Sequence, residues 1–120
     1  MKVVKMYSSC LYINFMEVSM DTLAGEVGQY PWGIYMEEGR DGLMVFVSAE
    51  KMAHEKGYNK AASMLAGEDI YGAAMIIGLG GRNGKEWCDV SPRVVKRLKE
   101  ICKKVRWEEY YHGDRKRAPV

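Results

Sequence analysis

The sequence predicts an α+β fold: a single small domain, mainly antiparallel sheet with hairpins, a central helical segment and a C-terminal amphipathic helix packed on the sheet. Three observations predict it. Short stretches of β-branched and aromatic residues recur between glycine and asparagine punctuation, as hairpin strands require. Val94, Val95, Leu98, Ile101, Cys102 and Val105 recur at three- and four-residue steps, the signature of one buried helix stripe. The chain has 120 residues and is 48% hydrophobic, enough for one core without disulfides or metal.

Along the chain, Val3 to Phe15 mixes β-branched and aromatic types and reads as a first strand, bent near Ser8 and Ser9. Asp21 is the expected N-cap of a short helix in which Leu23 and Val27 lie one turn apart and Gly28 is the stop. Trp32 to Glu37 and Leu43 to Ser48 read as a hairpin around Gly39, Asp41 and Gly42. A helix is expected from Ala49 to about Lys56 and another from Asn59 to Leu65, separated by Gly57 and ended by Gly67. The apolar run Ile70 to Leu79 is short enough for a buried central strand. Lys85 to Val90 reads as a returning strand, with Asn83-Gly84 as a type I′ turn. Ser91 then caps the last helix and Pro92 takes its first position. Residues 1–111 form the expected domain, and residues 112–120 a flexible basic tail.

Several function classes lose support at this stage. Cys10, Cys88 and Cys102 are an odd number at wide spacing, unlike a disulfide framework or zinc knuckle. His54 and His112 are the only histidines and have no partner at metal-ligand spacing, so no metal or cofactor is expected. The longest apolar run is interrupted by Gly72 and Gly78 and is too short for a membrane span, and a cytoplasmic protein is expected. The carboxylate pairs Glu37-Glu38, Glu68-Asp69 and Glu108-Glu109 have no sequence-visible acid/base partners, and no nucleophile motif occurs, so the chain is not read as an enzyme.

Charge is unevenly spread. Residues 1–92 carry 8 Lys/Arg against 12 Asp/Glu, and residues 93–120 carry 10 against 4. A basic end of this kind attracts nucleotides, acidic protein surfaces or nucleic acid. Lys96, Lys99, Lys103 and Arg106 lie on a different face from the apolar stripe. The glycine-rich stretch Gly78 to Trp87 approaches a dinucleotide fingerprint, but the residues after Gly84 are strand-like, so its glycines shape a hairpin and not a phosphate cradle. Its side chains remain candidates: Arg82, Asn83, Lys85 and Trp87 near the tip, with Arg106 as a further phosphate contact and Trp32 as an alternative stacking partner. Nine methionines, eight tyrosines and three tryptophans exceed what a small core readily hides, and self-association is a natural use for them.

The order "DTLAGEVG", a hairpin ending "GLMVFVS", the helical "AASMLAGEDIYGAAMIIG", then "EWCDVSP" into a helix resembles an uncharacterised family of small phage and prophage proteins from Leu23 to about Val105. The chain departs from that family at "VSAEKMAHEKGYNK". In size, α+β order and lack of catalytic motif it is also similar to phage counter-defence proteins, including the anti-Thoeris sponges. That resemblance implies sequestration of a cyclic ADP-ribose or cyclic-nucleotide signal in an oligomeric interface, in the host cytoplasm, without catalysis. The competing expectations are a protein-binding inhibitor or adaptor using the basic helix Arg93 to Arg106, and weak nucleic-acid binding through the helix and tail.

Overall fold

The stretch expected to be one bent strand is a hairpin: β1 (Lys2–Tyr7) and β2 (Cys10–Phe15) pair antiparallel, with Tyr7 opposite Cys10. Ser8 and Ser9 are left as a two-residue turn, and Ser8 takes φ 57°, which hairpin turns usually assign to glycine or asparagine. A computed structural model describes the backbone of residues 1–49 and 56–117, and the side chains of residues 1–49 and 56–108. After β2 come α1 (Met20–Val27), β3 (Pro31–Glu38), β4 (Asp41–Ser48), α2 (Lys60–Ala66), β5 (Ala74–Gly80), β6 (Glu86–Cys88) and α3 (Pro92–Arg117). The helix expected over Ala49 to Lys56 falls almost wholly on residues 50–55, outside the described residues.

Five strands lie in the order β2-β1-β5-β4-β3, and β6 pairs with β5 past the end of β1, all antiparallel. The register sorts side chains onto two faces because successive residues alternate. Val4, Met6, Leu43, Val45, Val47, Ala74 and Ile76 point to one face. There they pack with Ala61, Ala62 and Leu65 of α2 and with Val94, Leu98, Ile101, Cys102 and Val105 of α3. Val3, Phe46, Met75 and Ile77 point to the other face and meet Leu23 and Val27 of α1. The long amphipathic helix therefore packs on the sheet as expected. Burying each large apolar side chain contributes roughly 1.5–3 kcal/mol before entropy is counted.

Local chemistry sets the helix ends. The cap of α1 is Ser19, not Asp21: Ser19 Oγ accepts from Thr22 N–H at 3.3 Å and Thr22 Oγ1 accepts from Ser19 N–H at 2.8 Å. That reciprocal pair satisfies two backbone donors, and it leaves Asp21 inside the first turn, where its charge suits the helix dipole. Asn59 caps α2, and Gly67 ends it in the left-handed conformation. Ser91 Oγ accepts from Val94 N–H at 3.2 Å ahead of Pro92. The backbone of α3 continues past Tyr111 to Arg117.

The central strand begins later than Ile70. Ile70 O accepts from Asn59 N–H at 2.8 Å, Tyr71 bridges Tyr58, and Gly72 turns at φ 81°, so this segment is tied to residues 57–59 before the ladder starts at Ala74. Asn59 is fully buried at that junction. Its Nδ2 donates to Met6 O at 3.0 Å and to Gly72 O at 2.8 Å, while its Oδ1 accepts from Ala62 N–H at 3.1 Å.

The expected type I′ turn at Asn83-Gly84 is also corrected. Gly80 pairs with Glu86, leaving a five-residue loop, and the positive φ values fall at Gly81 and Gly84 and not at Asn83. Asn83 Oδ1 instead accepts from Lys85 N–H at 2.9 Å, an Asx turn within the loop. At the base of this hairpin, a Cβ on Gly78 would sit 2.4 Å from Asp89 O. Gly78→Ala is expected to cost about 2–3 kcal/mol through that backbone collision, read as a lower urea midpoint at unchanged slope.

Candidate functional site

Helical spacing brings three cations together. Lys99, Lys103 and Arg106 stand four and then three residues apart on α3, so they form one stripe beside its buried seam. The β1–β2 turn lies against this stripe. Ser9, Cys10, Leu11 and Tyr12 form one wall, Lys99, Lys103 and Arg106 the other, and Cys102 also lines the groove of about 450 Å³. That volume lies in the range of small-molecule sites.

The stripe differs from the cations nearer the start of the same helix. Arg93 Nε lies 3.4 Å from Asp41 Oδ2, and Arg97 Nε lies 3.2 Å from Glu38 Oε1. Those guanidinium groups have carboxylate partners. Lys99, Lys103 and Arg106 have no ion-pair partner among the described residues. An anion entering the groove would meet the three cations together, with residues Ser9 to Tyr12 as the opposite wall; Tyr12 contributes there as part of the strand, since its register with Lys5 points its side chain toward the α1 face.

The two thiols of the groove differ. Burial pushes the Cys102 thiol above its ordinary value of 9.0, with nearby Arg106 opposing the shift. It is therefore a protonated packing group at neutral pH and not a thiolate nucleophile. Cys10 is exposed. Cys88, half-buried on β6, is likewise pushed up by burial and by Asp89, Asp41 and Glu86.

The residues singled out from sequence are distributed over several places. Arg106 is in the groove. Asn83 and Lys85 line a second hollow of about 460 Å³ on the α1 face, with Tyr35, Met44, Leu79 and Gly84. Trp87 sits on the same face opposite Leu79, and its ring is 5.3 Å from Phe46, edge to face, so it serves packing. Arg82 is exposed in the loop between β5 and β6. Trp32, opposite Val47, is on the α3 face and 62% exposed. The sheet thus lies between Trp32 and the hollow that holds Asn83 and Lys85. Helical spacing alone marks Lys99 and Lys103 as part of a basic face, without singling them out as ligand contacts. Ser9 and Tyr12 carry no sequence signal for a site, since they reach the groove only because the first strand folds back.

Among the described residues, no helix is long and apolar enough to cross a membrane, and no three His, Cys, Asp or Glu side chains cluster. No family model, curated protein or solved structure matches the chain significantly.

Proposed function

We propose that the protein binds and sequesters a small phosphate-bearing nucleotide, of the cyclic ADP-ribose or cyclic-nucleotide class, without chemically changing it. One observation carries the reading: three cations without carboxylate partners among the described residues converge on a groove of ligand size. Lys99, Lys103 and Arg106 contact the phosphates. The groove is built within one chain, so this binding does not require the subunit interface that the sponge resemblance implies.

Cys10 supplies a local probe, because it is exposed and lines the groove. Native protein at about pH 7.5, treated with iodoacetamide and mapped by mass spectrometry, should be labelled at Cys10 well before Cys102. A bound cyclic nucleotide or ADP-ribose isomer should slow Cys10 labelling by about tenfold or more at about ten times its Kd, and heating should release the ligand with its mass unchanged. If no member of either class protects Cys10 or raises the melting temperature, the proposal fails. Recovery of a hydrolysed or transferred product would replace sequestration with catalysis.

A further inference from the structure

We infer that β3 is a self-pairing edge through which two copies of the chain join into one continuous sheet. Among the described residues no strand covers the outer side of β3, although it is eight residues long. The devices that blunt such edges are sparse. The strand contains no Lys or Arg, and its one proline is its first residue.

Backbone polarity fixes which groups are free. Tyr30 O accepts from Ala49 N–H at 3.1 Å, and Glu38 pairs with Asp41 across the two-residue turn. Even-numbered residues of β3 therefore bond inward to β4, and the N–H groups of Gly33, Tyr35 and Glu37 face outward. The pleat allows a second copy to pair only even with even and odd with odd.

One antiparallel register about a two-fold axis is self-complementary. With Ile34 opposite the partner's Ile34, Trp32 meets the partner's Met36 on the α3 face. On the other face Gly33 meets the partner's Tyr35. Gly33 is exposed, and a Cβ there would lie 2.9 Å from Met44 Sδ and 3.1 Å from Phe46 Cε1, so a side chain would have to push the Met44 thioether aside. Gly33 leaves a notch beside a sulfur and an aromatic edge, which suits the incoming Tyr35 ring; Tyr35 is itself 57% exposed. The same register sets Glu37 opposite the partner's Pro31, so like charges do not face each other. A shift of one pleat one way puts Trp32 opposite Glu38 and Gly33 opposite Glu37, and the other way puts Gly33 opposite Gly33 and Tyr35 opposite Pro31. Either shift loses both matches.

The test is independent of the groove. Analytical ultracentrifugation at micromolar concentration should give a dimer, and Trp32→Glu should give a monomer with unchanged far-UV circular dichroism. In a Cys10→Ser background, Ile34→Cys should cross-link to a covalent dimer under mild oxidation, because facing residues in this non-hydrogen-bonded pair lie about 4.5 Å apart. Tyr35→Cys should not. A monomeric wild type, a dimer that survives Trp32→Glu, or cross-linking at position 35 in place of 34 would each overturn the inference.

Discussion

Asn59→Ala is expected to lower the unfolding free energy by about 3–5 kcal/mol, the largest single-residue effect on stability in this fold. The side chain satisfies three buried backbone groups from three parts of the chain: Met6 O on β1, Gly72 O before β5 and Ala62 N–H on α2. Truncation strands all three, and water has no access to replace the lost bonds at a residue with 0% exposure. Asn59→Asp separates the contributions. Its carboxylate keeps the cap but aims charge at two carbonyl oxygens, so its pKa in the folded state should rise above the unfolded value. The variant should therefore be most stable below that unfolded pKa and lose stability as pH rises through the folded one. Urea unfolding of both variants at about pH 3 and about pH 7, below and above the ordinary Asp pKa of about 3.9, checks this, with the Ala variant as the reference for other titrating groups. An Asp variant no more stable in acid than at neutrality would contradict the assignment of the amide's two donors.

The combined change Lys103→Glu and Arg106→Glu is expected to weaken nucleotide binding at least about 100-fold, since each lost charge-assisted bond is worth about 1.5–3 kcal/mol. Both side chains are exposed, so the fold should be spared. Lys96→Glu is the control for position: it makes half that charge change on α3, and Lys96 lines the depression where Arg93 and Arg97 already have acidic partners. Isothermal titration should place the control within about threefold of wild type, less than one charge-assisted bond. Equal losses per charge in both variants would mean that the helix acts by overall charge and not through the groove, as the adaptor and nucleic-acid readings require.

Much of the architecture is legible in the sequence because the relevant signals are local. The stripe Val94 to Val105 needs only helical spacing, and the β3–β4 hairpin needs only its glycine turn. The first hairpin is hidden because Ser8 holds its positive φ without glycine or asparagine to announce it. Ser19 does not stand out as a cap because Asp21 is an equally good cap by type, and the choice rests on a hydroxyl of Thr22. Asn83-Gly84 carries the composition of a tight turn, but the register with Glu86 lengthens the loop. The site is less legible. Arg106 announces itself by its charge, while its neighbours Ser9 and Tyr12 come from the opposite end of the chain. Trp32 and Lys85 belong together by chemistry, yet the alternation of strands puts them on opposite sides of the sheet.

The strand order carries a consequence for how the chain acquires its shape. The β1–β2 and β3–β4 hairpins close between neighbours in sequence, yet in the sheet they are joined through β5, which enters between them from residue 74 onward. On a ribosome, the two hairpins must wait as separate pieces until that strand emerges. Contacts that span most of the chain length close slowly because their loops cost entropy first. The rate-limiting event is therefore expected to be the seating of β5, and the interval before it is when the apolar flanks of both hairpins are open to chaperones or to misassembly.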